Sequence, residues 1–471
     1  MDIKKPIPRK QWKLSVGIKA TVIIFSVIVL FLSIISMGVF GLDILKDQGI
    51  HKQDILDIID TVKSPLSFIS KWAKGKKAKP ETIYIDIKFI DLQKLAYQRE
   101  LAIAENFLMV GDDAFVSAKV RHGNNKVKVK MRLKGDHLDH LLGDKWSFRI
   151  HVKGSKTLFG MKRFSIQHPS TRNFISEWIY HKALKREGII GLRYDFIKVV
   201  LNGKDLGIYA IEEHFEKRLI ESNKRREGPI IRFDESLFWE NNKWENNELS
   251  KELRRQTRFN SSTYIPSEID AFQTTKYLSD PQLMHMHEKA INLLESFRRG
   301  KVKVRDAFDI PVTSKYFALA DLLGTQHGTT WNNIRFYYNP VTSKLEPIGF
   351  DGSANILPVI TSLIGHNRPL GKEGWSYNMY DNIFRDAEFY EAYVKALDTF
   401  SSDGYLDKLL AEIAPELQDK MNIIYSEFPY YNFRSKVYYG NLRLIRRFLN
   451  PMKGGHAYYE GNDGRSISLK I

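Results

Sequence analysis

The hydrophobic pattern changes character several times along the chain. Residues 20–42 form an apolar run without a charge, rich in Ile, Val, Phe and Leu. A helix rising ~1.5 Å per residue over that length reaches across a hydrocarbon core about 30 Å thick, so the pattern predicts one transmembrane helix. Lys4, Lys5, Arg9, Lys10, Lys13 and Lys19 precede the run, and Asp43, Lys46 and Asp47 follow it. The positive-inside bias therefore places residues 1–19 in the cytoplasm and the rest of the chain on the far side. A cleaved secretory signal is the alternative. Its apolar region is shorter, about 7–15 residues, and ends in small residues arranged for cleavage, which Ser36, Gly38 and Gly41 do not match. The expectation is an uncleaved single-pass anchor in the cell membrane, with the main domain periplasmic or extracellular.

Residues 43–80 follow as a juxtamembrane stretch. Ile55, Ile58, Ile59, Val62, Leu66 and Ile69 recur at helical spacing, for a helix lying on the bilayer, a dimerising stalk, or a helix packed on the domain. Lys71, Lys74, Lys76, Lys77 and Lys79 make a basic linker ending at Pro80. Residues 81–471 then read as one exported domain. Its first part is strand-like. Val127, Val129, Met131 and Leu133 alternate with Lys126, Lys128, Lys130 and Arg132, and Trp146, Phe148, Ile150 and Val152 alternate with Lys145, Ser147, Arg149 and His151. Residues 196–201 and 206–211 flank Asn202–Gly203, a hairpin turn. A helix is expected over 175–187, and helices dominate after about Pro281, over 284–299, 314–324, 387–400, 405–428 and 437–449. Residues 234–280 are polar and weakly periodic, an expected insertion. A β-rich part followed by a helical part predicts an α+β fold with two lobes behind the transmembrane helix.

Composition sharpens this in two ways. With 43% hydrophobic residues the chain can build a large core, and with no cysteine it has neither disulfides nor thiolate chemistry. A net charge of +17 on an exported domain points to anionic lipid, polysaccharide or phosphate rather than nucleic acid, or else to a diffuse positive surface with no specific partner. The row Lys126, Lys128, Lys130 and Arg132 is either a surface for an anionic glycan or lipid or a solvated face. No HExxH, GxSxG or P-loop motif occurs. His137 and His140, flanked by Asp136 and Asp139, have metal-ligand chemistry but read as a solvated loop.

The most informative stretch runs from Trp331 to Gly352 as strand, polar turn, strand. If Tyr338 faces Leu345, the register brings Asn333 opposite Phe350 and Asn332 opposite Asp351. An amide and a carboxylate at the open end of a hairpin suit Mg²⁺, which takes one or two protein ligands and completes its shell with phosphate and water. A strand cap and an Asx turn are the other reading.

This hairpin resembles the CotH family of bacterial spore-coat-type kinases, whose members carry an Asn-Tyr-Tyr-Leu-Tyr strand, a turn, and a strand ending in a metal-binding Asp. Three further segments match in order. Residues 131–135 with Lys145-Trp146-Ser147-Phe148-Arg149-Ile150 resemble the family's Arg-Gly element and Lys-Lys-Ser-Tyr. VVLNGKDLGIYAIEE (199–213) resembles its strand–Asn-Gly–strand ending in Glu, and DNIFRDAEFYEAY (381–393) its late helical segment. The matches span about residues 115–415. They imply an atypical protein-kinase-like domain using ATP and Mg²⁺ (or Mn²⁺). By the same resemblance Lys145 touches the nucleotide phosphates, Glu213 (or its neighbour Glu212) pairs with that lysine or with metal, and Asn333 and Asp351 hold the metal.

Two positions depart from kinase logic. An Asp is expected five residues before the metal-binding Asn to accept the substrate proton. Gly328 stands five before Asn333 and His327 five before Asn332, leaving His327 as the candidate base, with a structural histidine as the other reading. The family's Arg-Gly element is here Lys134-Gly135. The resulting expectation is a Mg-dependent phosphotransferase acting on an exported protein or envelope component. The alternatives are a pseudokinase that binds nucleotide without transfer and a scaffold for envelope polysaccharide.

Overall fold

Strand-forming sequence in the first part closes on itself. In the computed structural model, which describes residues 65–105, 107–108, 114–236, 264, 266–353, 358–366, 377–451, 458–462 and 466–470, seven strands form a barrel in the order β1-β2-β3-β4-β5-β8-β7. They are β1 (Thr82–Ile87), β2 (Val116–His122), β3 (Asn125–Leu133), β4 (Phe148–Val152), β5 (Arg163–Gln167), β7 (Tyr194–Leu201) and β8 (Lys204–Glu213). The short β6 (Ile190–Gly191) belongs to a second sheet. Alternation dictates the interior: Ile83, Ile85, Val120, Val129, Met131, Ile150, Phe164, Ile166 and Val199 are buried together inside the ring.

Closure depends on β1. It pairs antiparallel with β2 and parallel with β7, so neither strand is left as an edge. Asn202 fastens this seam. Its side chain accepts from Ile87 N (2.9 Å) and donates to Ile87 O (3.0 Å). With φ of 47° at Asn202 and 85° at Gly203, the β7–β8 connection is the two-residue turn that the Asn-Gly pair favours.

The second part packs helices around another sheet, ordered β10-β9-β11-β12-β6, with β9 (Ile230–Phe233), β10 (Ile269–Ala271), β11 (Arg335–Asn339) and β12 (Lys344–Gly349). The principal helices are α1 (Pro65–Lys77), α2 (Phe89–Glu105), α3 (Ile175–Arg186), α4 (Pro281–Arg298), α5 (Ile310–Leu323), α6 (Ala387–Phe400), α7 (Tyr405–Tyr425) and α8 (Lys436–Leu449). Asp280, Asp309 and Asp386 cap α4, α5 and α6, each accepting from backbone N–H groups of the first turn. Helix α5 buries Tyr316, Phe317, Leu319, Ala320, Leu322 and Leu323, the pattern of a helix enclosed on most sides at the centre of a core.

The observed architecture corrects the expected fold class. The first part is a closed barrel rather than a β-rich lobe, because β1 supplies the closing strand. Strands also recur within the helical part as the second sheet, so the fold is mixed α/β. The expected transmembrane helix at 20–42 lies outside the described residues. Among those residues no helix is long and apolar enough to cross a membrane. Of the expected juxtamembrane helix, residues 65–77 are helical and packed on the domain. A Cβ at Gly75 would lie 2.4 Å from Tyr425 O, and Lys71 donates to Tyr431 O at 2.9 Å. Part of the expected insertion, β10, is an integral strand of the second sheet.

Candidate functional site

Because Met131, Phe148, Ile150, Phe164, Ile166 and Ile211 point into the barrel, their strand neighbours face outward. Register places Arg132 opposite Arg149, Arg149 opposite Ser165, and Ser165 opposite Glu212. One row of polar side chains therefore crosses four strands. Lys134, one residue beyond β3 and on the same face, completes the group. Its ammonium donates to Glu212 Oε2 at 3.0 Å and to Gln167 Oε1, and both Lys134 and Glu212 are buried.

A third charge joins this pair to the second part of the molecule. Arg172, in the short turn Pro169–Arg172 after β5, places Nε 3.7 Å from Glu212 Oε1 and Nη2 3.0 Å from Asp351 Oδ2. Asp351 follows β12 in a left-handed conformation, φ 51°, an uncommon state for a residue with a side chain. The carboxylate of Glu177 in α3, fully buried, holds the turn by accepting from Gly352 N (3.3 Å) and Ser353 N (2.9 Å).

Asn333 and His327 come to the same place. His327 Nε2 is 3.9 Å from Asp351 Oδ1 and 3.0 Å from Asn333 Nδ2. Asn333 Nδ2 also donates to Thr330 Oγ1 at 3.1 Å. These acceptors orient the amide, and its Oδ1 takes part in no hydrogen bond among the described residues. His327 Nε2 then serves as acceptor to the amide, which puts the ring proton on Nδ1. The expected register holds through Tyr338↔Leu345 up to Arg335↔Ile348, where pairing ends. Asn333 and Asp351 lie just past it, each in a turn.

The electrostatics are those of a strongly coupled buried group. Burial alone would raise the Glu212 carboxyl, but Lys134 and Arg172 outweigh it and hold the pKa at about 2. Burial lowers Lys134 to about 8, with Glu212 opposing. Burial also lowers Arg149 to about 9, helped by Arg132. Asp139 is raised by burial against the pull of Arg172. Around these groups Glu212 Oε1, Asp351 Oδ1, Asp139 Oδ1, Ser165 Oγ, Gln167 Nε2 and the Nε and Nη1 of Arg149 are buried without a hydrogen-bond partner among the described residues. Buried polar atoms are nearly always satisfied, so their concentration at one place marks a site built for a polar ligand. A cavity of about 890 Å³ lined by Trp178, His181, Tyr194 and Lys420 involves none of Lys134, Glu212, Arg172 or Asp351.

A buried lysine–glutamate pair on barrel strands is linked through Arg172 to Asp351 at the end of a hairpin, and Asp351 through His327 to Asn333. The family model described as CotH kinase protein matches residues 131–450. The chain belongs to that family. No curated protein matches it. The match begins within β3, so the closing strand β1, helix α2 and strand β2 precede it.

As a CotH kinase protein the chain distributes its expected site residues unevenly. Asn333, Asp351 and His327 are brought together. Lys145 and Glu213 are not among them. The strand expected from Trp146 begins only at Phe148, and Lys145, in the preceding loop, donates to Ile208 O (2.9 Å) and Glu427 (2.7 Å) between the Tyr209 and Phe428 rings. Glu213 shares the strand face of Phe164, opposite to that of Glu212, and its carboxylate takes the Arg193 side chain and backbone. Lys134 and Glu212 are instead linked through Arg172 to Asp351. Alternation within β3 and β8 carried that signal, because Lys134 continues the outward row 126–132 and Glu212 shares the face of Ala210 across from Gln167. Arg172 and Glu177 had no local signature. The loop carrying Asp139 and His140 is not solvated: His140 is buried under Gly135 and bonds Ser147 Oγ at 3.0 Å.

The absent catalytic Asp also has a steric cause. A Cβ at Gly328 would lie 2.4 Å from Phe350 O and 3.2 Å from Gly352 Cα. The Asp351 turn packs directly on the backbone there, leaving no room for a carboxylate.

For a divalent cation, no group of three or more His, Cys, Asp or Glu among the described residues is arranged as a complete ligand set. The uncommitted oxygens of Asn333 and Asp351 fit the other mode, in which two protein donors hold Mg²⁺ and phosphate and water complete the shell.

Proposed function

We propose that this cleft binds ATP with Mg²⁺ (or Mn²⁺) and transfers the terminal phosphoryl group to an acceptor hydroxyl. The carrying observation is the continuous, largely buried chain Lys134–Glu212–Arg172–Asp351, which ends on the unsatisfied Oδ1 of Asp351. In this reading Lys134 neutralises phosphate charge and Glu212 fixes its ammonium. Arg172 holds Glu212 and Asp351 at a set separation. Asn333 and Asp351 would hold the metal, which supplies charge neutralisation to the phosphate oxygens. The acceptor oxygen forms a bond to the γ-phosphorus, the bond to the β–γ bridging oxygen breaks, ADP leaves, and the hydroxyl proton passes to a base. His327 can take that role when its Nε2 exchanges the Asn333 amide for the acceptor hydroxyl.

One observation favours a second reading, nucleotide binding without transfer: Gly328 occupies the place of the usual proton acceptor and His327 Nε2 already accepts from Asn333. Calorimetric titration of ATP into the full chain with Mg²⁺, Mn²⁺ or EDTA tests the site. Metal-dependent binding that disappears in Asp351→Asn is expected, and no heat with either metal would overturn both readings. Radiolabel transfer from γ-labelled ATP to protein or glycan acceptors then separates them.

A further inference from the structure

The outward face of β3 carries a cation at every second position: Lys126, Lys128, Lys130, Arg132 and then Lys134. Exposure falls at the inner end of this line. Lys126, Lys128 and Lys130 are exposed, Arg132 is half-buried, and Lys134 is buried in its pair with Glu212. With ~3.4 Å of rise per residue, neighbouring cations are about 6.8 Å apart and the line runs about 27 Å from the β2–β3 turn into the cleft.

The flanking strands reinforce the charge. Lys119 stands directly opposite Lys128 and Arg121 opposite Lys126 on β2, while Arg149 stands opposite Arg132 on β4. Like charges across a strand pair destabilise a sheet. Even so, Lys119, Lys126, Lys128 and Lys130 form no ion pair with any described residue. His151, opposite Lys130, feels the same field. Burial, followed by Arg163, Arg149, Arg132 and Lys130, lowers its pKa to about 3, so the ring stays neutral and adds no further charge to the face.

We infer that this face is an acceptor track, which takes an extended acidic protein segment and leads a hydroxyl-bearing residue at its end into the Lys134–Glu212 cleft. The inference rests on the phosphotransfer reading above and adds the class of acceptor. The argument for a peptide is geometric. An extended chain presents alternate side chains about 6.8 Å apart, the repeat of the β3 cations, so carboxylates at every second residue fall in register with Lys126, Lys128 and Lys130. The ammonium groups act as point charges and accept carboxylates in any orientation, which suits a family of acidic sequences rather than one motif.

The test uses the full chain, a fluorescent peptide of alternating Glu with one Ser near its end, and the triple variant Lys126→Gln/Lys128→Gln/Lys130→Gln. All three positions are exposed, so the barrel core is untouched. Wild type is expected to bind the peptide in a salt-sensitive manner, and the variant to lose about tenfold in affinity, as three partly screened charge pairs imply. ATP affinity should be the same in both proteins, and the KM for the peptide should rise in the variant with kcat little changed. Equal peptide binding by wild type and variant would overturn the track. So would a labelled anionic polysaccharide that binds wild type and is lost in the variant while the peptide does not bind. Peptide binding lost in the variant, with no ATP binding by wild type, would keep the track and remove the phosphotransfer reading.

Discussion

Arg172, buried, and Asp351, mostly buried, form an ion pair, Nη2 to Oδ2 at 3.0 Å, across the junction of the barrel and the helical part. The same guanidinium lies 3.7 Å from Glu212 on β8. One side chain thus ties the barrel carboxylate that holds Lys134 to the carboxylate at the end of β12. Both its neighbour Asn173 and its partner Asp351 have positive φ, 50° and 51°, so each side of the junction is presented by a constrained backbone.

The two lysines of the Arg-Gly and Lys-Lys-Ser-Tyr elements should separate cleanly. Lys134→Met removes one partner of a buried pair and is expected to cost about 3 kcal/mol of stability and to abolish nucleotide binding. Lys145→Met breaks a largely buried pair with Glu427 and a bond to Ile208 O, at a cost of about 1.5–3 kcal/mol, and should leave ATP affinity within about twofold. Denaturant titration and calorimetry on the two variants check this. The reverse pattern would return the phosphate contact to Lys145.

Glu177 acts at a distance of one turn from the metal candidates. Glu177→Gln keeps the shape but loses the charge-assisted bonds to Gly352 and Ser353 N–H, worth about 2 kcal/mol together. The Mg²⁺ concentration needed for half-maximal ATP binding is expected to rise about tenfold while ATP contacts to Lys134 persist. Restoration of normal Mg²⁺ dependence by Glu177→Asp is not expected, since the shorter side chain cannot reach.

Gly328→Ala pushes a methyl into Phe350 O. Overpacking of this kind costs about 1–3 kcal/mol, and here it displaces the Asp351 turn as well. Thermal melting together with metal-dependent ATP binding should show both losses. An unchanged melting temperature would mean the turn moves freely.

Acid should weaken the junction through Glu212. Its folded pKa, about 2, lies below the ordinary 4.5, so the stability it contributes is complete above pH 4.5 and is lost as pH falls towards 2. Urea midpoints measured from pH 6 to pH 3 should decline in the wild type. In Glu212→Gln, less stable at pH 6, the same interval should be flatter.

The hydrophobic pattern by itself determined the local elements of this protein. Period-two alternation in 126–133 and the Asn202–Gly203 turn specify strands and a hairpin from neighbouring residues alone, and the helices beginning at Ala387, Tyr405 and Lys436 start within a residue of their expected positions. The Tyr338–Leu345 register follows from the same rule, whereas Asn333 and Asp351 come to one place in turns beyond the last paired residues, Arg335 and Ile348. Barrel closure was not legible, because β1 pairs with a strand more than a hundred residues away and no local pattern names a parallel partner. The different surroundings of Lys134 and Lys145, and of Glu212 and Glu213, were likewise tertiary. Adjacent strand residues have nearly the same chemistry in sequence and point to opposite faces in space. Which face meets Arg172 depends on how the barrel docks on the helical part. Arg172 and Glu177 illustrate this most clearly: an arginine in a short turn and a glutamate in a helix look solvated until long-range packing buries Arg172 against the carboxylates of Glu212 and Asp351, and Glu177 against the backbone N–H groups of the turn after β12.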